Sequence, residues 1–199
     1  MCFQGDACLD QVAIVGTGSQ HHYVVEVSRG TSGNFYNCVD MRHVTVSGAR
    51  FAAVGVIGAG SELVAFSSSM HSSKRGGLFT YGGRGLYVAE GGHASLERGC
   101  RADGNQAYGW EVTGSGSSLC AYDSSASKNV YSNVYIHHGG TAHIVRCTMD
   151  DSERGCGLLV ESARQVEVDD SSICANKKTI VGANSSPVML SRCRCDRDR

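Results

Sequence analysis

No apolar run in this chain approaches 18 residues, so the sequence offers no transmembrane helix. Its start, Met1-Cys2-Phe3-Gln4-Gly5-Asp6, lacks the basic and apolar stretches of a secretory leader. The expected compartment is the cell interior, with a mature chain trimmed of its leader as the alternative. An excess of charge of one sign is missing as well. The formal net charge is −1, with Lys and Arg scattered, which gives no drive towards nucleic acid or anionic membranes. Cys-x-x-Cys is absent although there are ten cysteines, which argues against a zinc ribbon or a redox motif. Their irregular spacing reads as buried thiols stacked in a core, with disulfides or surface thiols as alternatives. Proline occurs once and aromatics make up only 7 %. Glycine, with 26 residues, and short Val/Ile/Leu runs dominate instead, which points to many tight turns between short strands. A length of 199 residues suits one domain, 1–199, with a continuous core.

The apolar runs repeat. Gly85-Leu86-Tyr87-Val88, Gly109-Trp110-Glu111-Val112, Asn133-Val134-Tyr135-Ile136, Gly157-Leu158-Leu159-Val160 and Thr179-Ile180-Val181-Gly182 form one column, with successive spacings of 24, 24, 24 and 22. Leu96, Cys120, Ile144, Val166 and Val188 read as a second column, closer to the first where the glycine turn is lost at Glu161-Ser162-Ala163-Arg164. Upstream, Val54/Val56 and Val64/Phe66 suggest the same pair of strands, and residues 1–34 hold first coils in poorer register. Each unit has strands with one apolar face that it cannot bury alone. Stacking units at about 4.8 Å buries a continuous column. Gly-Gly and Ser-Gly breaks exclude a helical repeat of similar period. Asn105, Asn129 and Asn176 suggest a turn ladder interrupted by Glu153. The expected fold is all-β, a single right-handed parallel β-helix of about seven or eight coils. A loop insertion spans 67–85 and a polar tail spans 193–199. No amphipathic helix covers either end, so a partner or further chain is expected there.

The glycine–apolar–x–apolar strand, the Gly-Gly turn and the second strand Ala94-Ser95-Leu96-Glu97-Arg98 resemble the parallel β-helix repeat family over about residues 35–193. That family has the pectate-lyase-like fold and includes the β-helix modules of certain F-box proteins. The resemblance implies the fold. For function it implies either polysaccharide chemistry or a non-catalytic binding module.

Alternation puts Tyr87, Glu111, Tyr135, Leu159 and Val181 in one outward column. Ala89, Thr113, His137, Glu161 and Ala183 fall in the next. For an enzyme acting on a polysaccharide, as lyase, hydrolase or epimerase, His137 would move a proton with Glu161 and Glu111 as its carboxylate partners. For a binding module, Tyr87 and Tyr135 would stack on a glycan or protein, with Arg84, Lys74 and Arg75 at the edge and His71 and Tyr81 nearby. Solvated polar residues on an ordinary β-helix face explain the same columns. The family's lyases imply clustered aspartates holding calcium on this face. Here Asp103, Asp123, Asp150, Asp151, Asp169 and Asp170 fall in turns, so calcium belongs only to the lyase alternative and no cofactor is otherwise expected. His137 and His138 are expected to point to opposite sides of a strand or into the Gly139-Gly140 turn, and with His143 they give no metal-ligand spacing. No Gly-x-Ser-x-Gly or phosphate loop is present. The reading is a non-catalytic module presenting a rigid face to a protein or glycan partner, alone or as a subunit of a larger assembly, with the enzyme as the alternative.

Overall fold

A computed structural model describes residues 2–3, 7–16, 22–28, 37–71, 82–183 and 187–195, and every regular element among them is a β-strand. The first strands are β1 (Cys2–Phe3), β2 (Ala7–Asp10), β3 (Ala13–Val15), β4 (Tyr23–Ser28), β5 (Asn37–Arg42) and β6 (Thr45–Ser47). Next come β7 (Ala52–Ile57), β8 (Ser61–Phe66), β9 (Ser69–His71), β10 (Arg84–Ala89), β11 (His93–Glu97), β12 (Tyr108–Thr113) and β13 (Ser118–Tyr122). The rest are β14 (Ser132–His137), β15 (Thr141–Val145), β16 (Cys156–Glu161), β17 (Gln165–Asp169), β18 (Lys178–Ala183) and β19 (Val188–Ser191). They stack into parallel sheets. The first runs β1-β4-β7-β10-β12-β14-β16-β18, the second β2-β5-β8-β11-β13-β15-β17-β19 and the third β3-β6-β9. Single bridges from Ser69 through Arg101, Ser125, Thr148 and Ser172 to Arg194 extend the third side.

The two-residue period makes this a solenoid with one core. Leu86, Trp110, Val134 and Leu158 follow one another across the first sheet and are all fully buried. Each such side chain contributes about 1.5–3 kcal/mol, but only because the next coil covers it.

The second column is corrected. Cys120 pairs with Ser95 and His143 and faces outward, while Ala121 takes the inward place between Leu96 and Ile144. Val166 and Val188 continue the column of Ala142, and Val168 and Leu190 that of Ile144. Leu63 and Ala65 enter the core, not Val64 and Phe66. The cause is turn length. Gly58-Ala59-Gly60-Ser61 and Gly114-Ser115-Gly116-Ser117 are one residue longer than Glu90-Gly91-Gly92 and His138-Gly139-Gly140. One extra residue flips every side chain that follows. The glycine-free turn at Ser162-Ala163-Arg164 is no shorter than its glycine counterparts, and Ser162 takes φ 52° as Glu90 and His138 do at the same place. The insertion is also smaller than 67–85, since Ser69-Met70-His71 pairs with β6 and Arg84 opens β10.

One corner is held by carboxamides. Asn129 Oδ1 accepts the Asn105 backbone N–H, and Asn176 Oδ1 that of Ser152, each at 2.8 Å. The gap in the ladder is therefore at Ser152, not at the exposed Glu153. Asn133 fills it: its Oδ1 accepts from Asn129 Nδ2 at 3.0 Å and its Nδ2 donates to Asn176 Oδ1 at 2.9 Å. Asn133 stands where other coils have Gly85, Gly109 and Gly157. At those glycines a Cβ would lie 2.9, 2.7 and 2.5 Å from the Nδ2 of Asn105, Asn129 and Asn176. A Gly/Asn pair in three coils has become an Asn/Ser pair in the fourth, with the carboxamide kept in the same space.

The next corner alternates hydroxyl and thiol along Ser68, Cys100, Ser124, Cys147, Ser171 and Cys193. Ser68 and Ser171 accept the backbone N–H of Val44 and Cys147, while Cys100, Cys147 and Cys193 donate to the carbonyls of Ala65, Ala121 and Val168. Burial raises the Cys147 thiol to about 11 and Cys100 upward too. Cysteines two coils apart stand about 10 Å from each other, beyond disulfide reach. Cys100 and Cys147 are buried thiols, as the sequence reading expected, whereas Cys120 and Cys193 are half-buried and Cys8 is exposed.

Candidate functional site

The outward face of the first sheet collects most of the sequence-derived site residues. Tyr87, Glu111 and Tyr135 are register neighbours, as are Thr113, His137 and Glu161. Strict alternation would turn Arg84 and Tyr108 inward with Leu86 and Trp110. Gly85 and Gly109 face the interior instead, so both strands kink and Arg84 and Tyr108 join the outer face. Gly55, in the same outward column as Tyr87, leaves room for the ring of Tyr23, which a Cβ there would meet at 2.6 Å.

The result is a run of rings. Centroids lie 5.4 Å apart for Tyr23–Phe51, 5.0 Å for Phe51–Tyr87, 5.0 Å for Tyr108–Tyr135 and 4.1 Å for Tyr135–His137, the last pair nearly parallel at 8°. The Arg84 guanidinium joins the two groups, 4.2 Å from the Phe51 centroid, 5.4 Å from Tyr87 and 5.6 Å from Tyr108. Tyr131 continues the run beyond Tyr108 and is 38 % exposed.

Glu111 lies beneath this layer and is only 3 % exposed. Arg84 Nε donates to its Oε2, Arg84 Nη2 approaches Oε1 at 3.4 Å and His137 Nε2 lies 3.1 Å from Oε1. The other nitrogen of His137 meets His138 Nδ1 at 2.5 Å. Of the two placements expected for these histidines, the turn holds for His138, which takes φ 49° there with its ring against His137. Tyr135 donates from its hydroxyl to Glu161 Oε2 at 2.6 Å. Burial, reinforced by the bond to Glu161, pushes the Tyr135 phenol upward. Burial does the same to Tyr23 and Tyr87, and takes Tyr108 to about 12 with Glu111 adding and Arg84 opposing. At neutral pH these phenols are hydrogen-bond donors, not bases.

Other sequence-derived residues lie elsewhere. His71 faces the Asp103 carbonyl on the third side, and His143 meets Tyr122 on the second sheet. Lys74, Arg75 and Tyr81 lie outside the described residues. Asp103 accepts from the Ser125 hydroxyl and the Ser127 N–H, and Asp150 accepts from Ser172 and Cys174 in the same way. Those carboxylates tie coil to coil. Among the described residues no group of three or more His, Cys, Asp or Glu is placed to hold a metal ion. No helix of the described chain is long and apolar enough to cross a membrane. Sequence reasoning missed Tyr23, Phe51, Tyr108 and Tyr131 on this face; the inward glycine after Tyr108 is the signal that could have placed it. It also missed a cavity of about 470 Å3 lined by Lys128, Asp151, Ser152, Glu153 and Lys177, at turns leading into the first sheet.

No curated protein matches the chain. Among solved structures, the TibC-catalysed hyper-glycosylated TibA fragment aligns at 12 % identity, covering 92 % of this chain and 97 % of that one, with a TM-score of 0.15. The family described as right-handed beta helix region matches residues 68–197, more than half of the chain. This chain, with its parallel coils and stacked interior columns, belongs to the right-handed β-helix family.

Proposed function

We propose that this β-helix is a non-catalytic module whose first-sheet face binds a glycan chain. The supporting observation is the run of half-buried rings from Tyr23 to Tyr135, set on a rigid sheet and ending at the exposed Tyr131. Rings fixed by neighbours lose little entropy when a sugar stacks on them, and their hydroxyls reach its edges. The bonding of the acid/base candidates favours binding over turnover. Glu111 is occupied by Arg84 and His137 below the surface, and Glu161 is occupied by Tyr135. A general acid or base needs a carboxylate or imidazole within reach of the substrate proton.

The purified chain is assayed on immobilised uronic-acid and neutral polysaccharides, with and without calcium, for retention and for new reducing ends or unsaturated products. Retention without product, lost in Tyr131→Ala and Tyr135→Ala, is the expected result. No retention on any glycan would overturn the reading in favour of a protein partner. Product formation abolished by His137→Ala or Glu161→Gln would replace it with the enzyme.

A further inference from the structure

The outer face of the second sheet plays no part in the glycan reading. Its middle strands β8, β11, β13, β15 and β17 contain Glu62, Glu97, Glu167 and Asp169 and no lysine or arginine. Arginines of the adjoining turn are taken up there, Arg146 by Asp123 and Arg192 by Asp169. Glu97 and Glu167 form no ion pair among the described residues, and Glu167 Oε1 accepts only from the Gln165 amide, at 2.6 Å. The face thus carries carboxylates with no cation bonded to them.

Register orders these acids around an apolar strip. Glu97, Tyr122, Val145 and Asp169 follow one another coil by coil on the outside, with Glu167 beside Asp169 on the same strand. All five are half-buried. The Tyr122 ring is held in place, its hydroxyl 3.3 Å from His143 Nδ1 and the two rings edge to face at 5.7 Å. Three coil steps at about 4.8 Å span roughly 14 Å, and four residues of extended chain span the same length. A strand lying along the solenoid axis therefore sets its alternate side chains, at i, i+2 and i+4, over acid, apolar strip and acid. Nucleic acid and anionic membranes are repelled by this charge, and a bare cation leaves Tyr122 and Val145 uncovered.

We propose that this face docks an extended protein segment with lysine or arginine four positions apart and an apolar side chain midway between them. Tyr122 and Val145 cover the apolar side chain, and Glu97 and Glu167 hold the two cations. The sheet is already ordered, so docking costs the solenoid little entropy.

The test is fluorescence anisotropy of labelled twelve-residue peptides titrated with the whole chain. One repeats Lys-Thr-Leu-Thr, the second Glu-Thr-Leu-Thr and the third Lys-Thr-Thr-Thr. The first should bind at least about tenfold more tightly than either of the others. Glu97→Lys, Glu167→Lys and Tyr122→Ala should each weaken it by about tenfold. Glu153→Lys makes the same change in net charge at a turn before the first sheet, where the side chain is 58 % exposed, and should leave the affinity unchanged. Should Tyr122→Ala fail to fold in a thermal melt, the three glutamate variants still decide. Absence of binding by the Lys-Thr-Leu-Thr peptide overturns the proposal. So does equal binding of the Lys-Thr-Thr-Thr peptide, which would reduce the contact to charge alone, or an equal loss in Glu153→Lys, which would reduce it to net charge.

Discussion

Glu111→Leu removes one partner of an ion pair whose side chains are 4 % and 7 % exposed. In water the two charges would gain little from each other. Here both have been taken out of solvent, so the loss of one leaves the Arg84 guanidinium, buried among Phe51, Tyr87 and Tyr108, without the Glu111 carboxylate. Breaking a buried pair in this way costs about 3–5 kcal/mol. At roughly 2–4 °C per kcal/mol for a chain of this size, the variant should melt roughly 6–20 °C below the parent. The double variant Arg84→Met/Glu111→Leu removes both charges at similar volume and should recover most of that loss, or exceed the parent by up to about 4 kcal/mol. Leu159, two coils along the same outward column, shows that the position tolerates leucine. Urea unfolding is read from Trp110, the only tryptophan and fully buried, with circular dichroism as the second probe. A single variant that loses less than about 1 kcal/mol, the value of an exposed pair, would show that this pair is not desolvated. A double variant as unstable as the single would place the energy in packing instead of charge.

Asn133→Gly should cost about 1–3 kcal/mol in the same assay, since Asn129 and Asn176 lose the carboxamide between them. Adding Ser152→Asn rebuilds the Gly/Asn pair of the neighbouring coils and should restore stability. Absorbance titration of the tyrosines should show Tyr23, Tyr87, Tyr108 and Tyr135 ionising later than a free phenol near pH 10. Between about pH 10 and pH 12 the unfolded chain gives up protons that the folded chain retains, so stability is full below pH 10 and falls as pH rises. Tyr135→Phe should flatten that fall, and an unchanged slope would remove Tyr135 from it.

The outward columns were legible because their register depends on the 24-residue spacing of glycine and apolar residues alone. Tyr87, Glu111, Tyr135, His137 and Glu161 could thus be placed on one face before any coordinates. Cys120, Val64 and Phe66 could not, because their facing depends on whether the preceding turn takes three or four residues. The Gly-x-Gly pattern of the longer turns records that difference, and its meaning emerges only when two coils are aligned. Arg84 and Tyr108 were hidden for another reason. Their outward direction depends on an inward glycine beneath an asparagine 20 residues later.

The sequence by itself determined the architecture. A unit that cannot bury its own apolar face must stack, and a repeated spacing dictates how. Tertiary structure alone decided the electrostatics of the face. Glu111 reads as an exposed acid in its column, yet it is buried, with Arg84 and His137 bonded to it. Burial is a property of what lies above a residue, and no spacing along the chain encodes that cover.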